Sequence, residues 1–327
     1  MGSVPLKISI TTGDADGIGL EVAEKALLKL GPQKKSHFLI WRSSNSFPKN
    51  LKKLEKKFDL VSFTSPLKAL EFLNSDQMKP NKLVEIVSNE SPAIWVEQTA
   101  RWCTEKKIDS MVTGPISKTE IYRAGLQDMG HTDILKRVAK TDKVFMGFIG
   151  KYFNVLLTTA HIPIEKIPTK LGVISITTAL EAADKLRQHL PATSKKKPIA
   201  VLGLNPHAGE KGLIGTEESS YFTKVFAEAQ KQNIPVVGPL VPDAAFTKEN
   251  WKKYSVFLAM YHDQGLIPFK MIHGQDSGVH ISVGLPFVRT SVDHGTAKDI
   301  FGKNKANPAS MIDAIRTCIH LTNSSIK

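Results

Sequence analysis

Ile199-Ala200-Val201-Leu202-Gly203-Leu204-Asn205-Pro206-His207 holds the pattern on which the whole chain is built. A short run apolar at every position reads as a strand covered on both faces, as in a parallel sheet. Asn-Pro then stops the strand, and a histidine follows. The design recurs twice: residues 154–159 lead to His161, and residues 256–260 lead to Tyr261-His262-Asp263. Helix-like segments over 168–190 and 217–232 separate these strands, so strand and helix alternate as in an α/β fold.

Working outward, residues 6–12 alternate like a strand, Gly13 to Gly19 form a glycine-rich turn, and 21–30 read as a helix. Residues 38–41, 60–63 and 83–87 are further strands. Ser91-Pro92 opens a helix to about 106, with Ser as N-cap and Pro in the first turn. A strand over 110–113 breaks at Gly114-Pro115. Residues 144–149 and 153–157 suit a hairpin around Gly150-Lys151, and Asn307-Pro308 caps a last helix to about 321. No repeat or low-complexity tract interrupts this order. The expected organisation is a domain of residues 1–124 plus 291–327, carrying the cofactor side. A second domain, 125–290, is inserted in it and carries the metal, substrate and dimer side.

Composition narrows the function. In 327 residues, no apolar run approaches the roughly 18 residues of a membrane span, and residues 1–7 do not read as a signal peptide. Cys103 and Cys318 lie far apart in helix-like contexts, which excludes a disulfide framework and suits a reducing cytoplasm. The net charge of +13 comes from 44 basic and 31 acidic residues. Lysines are densest at 49–57 and 195–197, among Ser, Asn or Pro, where solvated faces are the simplest reading. Without aromatic–basic interleaving, neither nucleic acid nor membrane is an expected partner.

His161, His207 and His262 each follow a buried strand, and strand C-terminal ends form the ligand-binding edge of open α/β sheets. Three imidazoles with open positions describe a catalytic metal site. A lone strand-end histidine is more often structural; three in one context make a metal an even alternative. Asp243 and Asp263 are candidates to add oxygen ligands or to orient the site.

The flanking motifs resemble one family. Thr12-Gly13-Asp14 through Ile18-Gly19, Gly130-His131-Thr132, Leu204-Asn205-Pro206-His207-Ala208-Gly209, Met260-Tyr261-His262-Asp263-Gln264-Gly265 and Gly284-Leu285-Pro286-Phe287-Val288-Arg289-Thr290-Ser291-Val292-Asp293-His294-Gly295-Thr296-Ala297 are similar to blocks of the 4-hydroxythreonine-4-phosphate dehydrogenases, in order from about residue 6 to 315. The resemblance implies oxidation of 4-phosphooxy-L-threonine with NAD or NADP in vitamin B6 biosynthesis. The 3-oxo acid formed decarboxylates to 3-amino-2-oxopropyl phosphate. It implies two α/β/α domains of the isocitrate/isopropylmalate dehydrogenase type with the active site in the cleft between them. It further implies a homodimer whose active site lies at the subunit interface, one metal-binding histidine coming from the partner.

By motif matching, His161, His207 and His262 take the metal positions, for zinc, magnesium or cobalt. His131, Thr132, Lys270 and Arg289 fall on substrate-binding positions, as does His280. Lys270, Asp243 and Asp263 are the candidate catalytic groups. Substrate phosphate and carboxylate call for fixed cations, which Arg289 and Lys270 supply. The Gly-x-Gly-x-x-Gly fingerprint is absent. His294, Gly295, Thr296 and Asn307, in a stretch resembling the NAD-binding loop of isocitrate and isopropylmalate dehydrogenases, are the cofactor candidates.

The chain also departs from the family pattern. Ala15, Asp16 and Leu20 replace Pro, Ala and Pro; His280 replaces an asparagine; Thr216 stands where arginine is common. His280 leaves a paralogous D-threonate or D-erythronate 4-phosphate dehydrogenase as the alternative. A metal-dependent phosphohydrolase is more distant, since it leaves the 294–308 block without a role.

Overall fold

The computed structural model describes residues 4–46, 48–274 and 277–325. Twelve strands run in chain order: β1 Leu6–Thr11, β2 Ser36–Ser43, β3 Asp59–Phe63, β4 Lys82–Ser88, β5 Ser110–Thr113, β6 Phe145–Ile149, β7 Asn154–Leu157, β8 Ile199–Leu202, β9 Val236–Leu240, β10 Phe257–Ala259, β11 Val279–Val283 and β12 Val288–Val292. The chain divides into two compact units, Met1–Asp142 with Leu285–Lys327, and Lys143–Gly284. The divisions fall at 142/143 and 284/285, where the sequence suggests 124/125 and 290/291. The helix His131–Ala139 accounts for the first difference, because Ile134 and Leu135 pack into the same core as Trp95 and Trp102.

In the first unit the strand order is β3-β4-β2-β1-β5-β12. Every neighbouring pair is parallel. From β1 the chain crosses first to β2 on one side, and later reaches β5 on the other, so the order reverses between β1 and β5. Such a switch point opens a crevice at the strand C-termini. Trp41, Trp95 and Trp102 fill the core, with Trp41 5.6 Å from Trp102 and 6.1 Å from Trp95 between ring centres.

The Ser91-Pro92 signal opens the helix Pro92–Thr104, where Ser91 Oγ accepts the Ala93 N–H at 3.3 Å and donates to the Glu120 carbonyl at 2.8 Å. Ser91→Ala removes both bonds and should cost about 1 kcal/mol in a urea melt. A change below about 0.3 kcal/mol would show that the cap contributes nothing.

The second unit has the order β11-β6-β7-β10-β8-β9. β11, β6 and β7 pair antiparallel, and β7, β10, β8 and β9 pair parallel. The expected hairpin is β6–β7. Phe148, Phe153, Phe246, Phe257 and Phe269 lie in its core. The α/β fold is as expected; among the unforeseen elements are β9, β11, β12 and the helices Leu51–Lys57, Pro66–Leu73, Lys118–Arg123, His131–Ala139, Lys248–Lys253 and His262–His273.

Candidate active site

At the switch point of the first unit three loops leave β1, β5 and β12 and are bonded to one another. The Asp14 N–H donates to the Pro115 carbonyl at 3.2 Å, and the Ile18 N–H to the Thr296 carbonyl at 3.0 Å. The Ser117 N–H donates to Asp14 Oδ1 at 3.0 Å. Gly13 has φ +81°, and a Cβ there would stand 1.9 Å from the Pro115 oxygen, so only glycine lets the β1 and β5 loops meet. Lys298 Nζ reaches Asp16 at 2.8 Å and Asp14 at 3.5 Å. Its hydrogen bond to Asp16 raises the lysine pKa. The unusual Asp16 therefore ties the glycine-rich turn to the loop after β12.

Arg289 lies inside this edge. It is 2% exposed, and its Nε and Nη2 donate to Thr113 Oγ1 at 3.1 and 2.6 Å. Thr113 Oγ1 in turn donates to Ser291 Oγ at 3.1 Å, which fixes the hydroxyl's acceptor side toward the guanidinium. Burial pushes the Arg289 pKa down to about 9, which still leaves a cation at neutral pH. His131, half-buried at the start of its helix, is held well below the usual histidine range by burial and then by the Arg289 charge, against a hydrogen bond to the Gly114 backbone. A fixed cation beside a neutral imidazole suits an anion that also needs a hydrogen bond. Thr132 follows in the first helical turn.

The candidate cofactor loop is bound to the helix Gly19–Leu30. The Ala306 N–H donates to Glu21 Oε1 at 2.7 Å, and Lys25 Nζ donates to the Ala306 carbonyl at 2.9 Å. Asn307 Oδ1 accepts the Ala309 N–H at 3.0 Å, opening the last helix Ala309–Ser325. His294 Nδ1 lies 2.9 Å from the Gly295 carbonyl oxygen. A small cavity of about 20 Å³ lies alongside, lined by Gly17, Leu20, Glu24, Lys49, Phe301 and Gly302.

In the second unit, β7, β10 and β8 are parallel neighbours, so the loops bearing His161, His262 and His207 leave one edge. The Thr158 and Thr159 N–H groups donate to the Ala259 and Met260 carbonyls at 2.8 and 3.2 Å, carrying the β7–β10 pairing up to the histidines. The His161 and His262 ring centres are 5.4 Å apart. Two imidazoles on one tetrahedral ion, at metal–nitrogen distances of about 2.0–2.1 Å, would have centres about 5 Å apart. His262 Nδ1 stands 2.7 Å from Asp263 Oδ1, a contact that orients the ring and directs Nε2 outward. His207 lines a pocket of about 360 Å³ with Pro206, Asp243, Tyr261 and Gln264. Among the described residues, no three His, Cys, Asp or Glu side chains converge to hold a metal ion. The expected set of three is therefore not assembled within one chain; two of its members are brought together.

The His207 turn is unusual. His207, Ala208, Glu210 and Lys211 have φ of 52°, 52°, 42° and 57°. Side chains in that left-handed region cost about 1–2 kcal/mol each, so other contacts must hold the turn. Gln264 spans two of the loops, with Oε1 accepting the Met260 N–H and Nε2 donating to the Gly203 carbonyl, both at 2.7 Å. Lys270 is exposed on the helix His262–His273, and His280 on β11 stacks on Phe148 at 5.1 Å.

The model of the pyridoxal phosphate biosynthetic protein PdxA matches residues 32–318. The chain belongs to the PdxA family. A 4-hydroxythreonine-4-phosphate dehydrogenase from Sulfurihydrogenibium sp. is 35% identical over 325 residues, covering 97% of this chain and 98% of that one. The crystal structure of a 4-hydroxythreonine-4-phosphate dehydrogenase from Klebsiella pneumoniae superposes with a TM-score of 0.80 at 27% identity, over 98% of this chain and 99% of its own. A beta-decarboxylating dehydrogenase from Thermococcus kodakarensis shares the fold at a TM-score of 0.55 and 11% identity, over 97% of this chain and 83% of its own. The PdxA family and the dehydrogenase fold thus agree with the motif reading. Among the described residues, no helix is long and apolar enough to cross a membrane.

Proposed function

We propose that this chain is a 4-hydroxythreonine-4-phosphate dehydrogenase. It would oxidise the C3 hydroxyl of 4-phosphooxy-L-threonine to a ketone, and the 3-oxo acid would lose CO2 to give 3-amino-2-oxopropyl phosphate. The observation that carries this reading is the buried Arg289 cation beside the neutral His131 at the strand ends of a PdxA-family chain. Arg289, with Lys270, binds the anionic groups of the substrate, while His131, Thr132 and His280 donate hydrogen bonds to it. His294, Gly295, Thr296 and Asn307 form the cofactor loop, and NAD or NADP, when bound, takes the hydride. Lys270, Asp243 and Asp263 would take the hydroxyl proton and return one after CO2 leaves.

His161 and His262 would hold a divalent ion, zinc, magnesium or cobalt, which supplies Lewis-acid polarisation of the substrate oxygen when bound. We take the third ligand to be His207 of a second copy, in a homodimer. Ile267 and Met271, 60% and 79% exposed one turn apart on the His262 helix, and Leu213, 84% exposed beside the His207 turn, form the apolar surface that such a dimer would cover. The free, buried thiols of Cys103 and Cys318 suit a cytoplasmic enzyme.

The test is NADH formation from 4-phosphooxy-L-threonine by the purified protein, with divalent metal and with EDTA. Metal-dependent NADH formation is expected. Turnover confined to D-threonate or D-erythronate 4-phosphate would move the substrate. Phosphate release with no NADH from any of these acids would sink the dehydrogenase reading.

A further inference from the structure

We propose that Glu218 is the positioning residue for His207: its buried carboxylate staples the Pro206–Gly212 turn closed and so sets where the imidazole stands. Glu218 is 7% exposed, yet it lies at the far end of the excursion that begins with Leu204. Its Oε1 accepts the backbone N–H of both Leu204 and Asn205, each at 2.8 Å. Its Oε2 accepts from Asn205 Nδ2 at 3.0 Å, and that amide is shared with Glu217 Oε2 at 2.8 Å. One carboxylate thus joins the first residues of the excursion to its last. His207 begins the left-handed run only two residues beyond the pinned Asn205.

Within the turn the Ala208 N–H donates to the Asn205 carbonyl and the Ile214 N–H to the Gly209 carbonyl, each at 3.1 Å, while Glu218 anchors its first residues. Backbone in the left-handed region relaxes unless its surroundings over-determine it. Without the carboxylate, the Leu204 and Asn205 N–H groups lose the acceptor that fixes the start of the turn. The other end of the same strand terminus is already held, since Gln264 takes the Gly203 carbonyl. Glu218 is therefore the side chain that anchors the start of the turn from its far end. It acts through His207 and touches no reacting atom.

The metal arm of the test rests on the proposed role of His207 as a ligand; the conformational arm does not. Hydrogen exchange by mass spectrometry on the full-length protein reads the backbone of residues 203–215, and calorimetric titration with Co2+ reads ion binding. Glu218→Ala should speed exchange in that segment at least tenfold and leave β7 and β10 as in the wild type. It should weaken Co2+ binding about 10- to 100-fold, as loss of a group orienting a ligand does. Glu218→Gln should fall between the two, because its carboxamide oxygen still accepts both backbone N–H groups; it supplies the comparison should Glu218→Ala not fold. Unchanged exchange at 203–215 in these variants overturns the proposal whatever the metal does. So does faster exchange with wild-type Co2+ affinity, provided His207→Ala weakens binding. An equal effect from Glu217→Gln would likewise remove Glu218's special place. If wild-type protein binds no Co2+, or His207→Ala binds as well as wild type, the ligand reading of His207 fails, and the staple stands or falls on exchange alone.

Discussion

Arg289→Met should lower kcat/KM for the phosphorylated hydroxy acid about a thousandfold, about 4 kcal/mol of binding in the transition state. The size follows from where the guanidinium lies. At 2% exposure it has already given up its hydration, as the fall of its pKa to about 9 records. An anion arriving at that edge therefore meets a cation that is desolvated and already aimed. Thr113 Oγ1 takes both Nε and Nη2, fixing the plane of the fork. Methionine keeps the volume and the apolar stem but offers the anion nothing, so the loss appears in kinetics while the circular dichroism spectrum stays native. Arg289→Lys keeps a charge but not the fork, and should remain at least tenfold impaired. Thr113→Val, which leaves the charge and removes this acceptor, should cost about tenfold. Wild-type kcat/KM in Arg289→Met would show that the substrate anion binds elsewhere.

The neighbourhood of Arg289 was only half legible in the chain. Read alone, Arg289 is more simply a surface charge, although the place between Leu-Pro-Phe-Val and Thr-Ser is an odd one for an idle arginine. Nothing local announces that Thr113, 176 residues earlier, is its partner, or that His131 starts a helix beside it. Such proximity comes from the order β1-β5-β12, a long-range property that strand periodicity does not encode. The three histidines show the same division. Apolar runs ending in polar motifs reveal strand ends, and β7, β10 and β8 do place them on one edge. Periodicity says nothing about a turn that leaves β8 left-handed through four non-glycine residues, and it is that turn which carries His207.

The helix His262–His273 was hidden for a different reason. Gly265 and Pro268 both argue against helix, and Pro268 lies inside it. Packing explains the glycine: a Cβ at 265 would stand 2.7 Å from a Val155 methyl on β7. A residue that weakens the helix in isolation is the one that lets it lie against the sheet, and tertiary contact overrides propensity. Glu218 is a related case. In Gly-Thr-Glu-Glu it looks like a solvated helix start, and only the fold shows that the second glutamate turns inward.

Raising the pH from 5 to 8 should destabilise the wild-type protein relative to Glu24→Gln by about 2.5 kcal/mol. Glu24 is 2% exposed on the helix Gly19–Leu30. Its Oε2 accepts from Asn50 N and Nδ2 at 3.2 and 3.3 Å. Burial raises its pKa from the ordinary 4.5 to about 7, outweighing the Asn50 bonds and the Arg42 charge, with Glu85 adding a small push upward. The folded state thus binds a proton more tightly than the unfolded chain. Its contribution to stability is complete below pH 4.5 and is lost as pH rises toward 7, because above that the buried carboxyl must ionise on folding or keep its proton at a cost. The full gap between 4.5 and about 7 corresponds to about 3.5 kcal/mol at roughly 1.4 kcal/mol per pH unit, of which about 2.5 kcal/mol falls between pH 5 and pH 8. Glutamine keeps the shape and an oxygen for Asn50 but has no proton to lose. Urea melts of both proteins at pH 5 and pH 8 make the measurement, and taking the difference between them removes the other titrating groups from the comparison. The two curves should lie close together at pH 5 and separate at pH 8, with Glu24→Gln the more stable. Parallel curves would mean that the carboxyl is already ionised at pH 5, with water reaching it through the cavity that it lines beside Lys49 and Phe301.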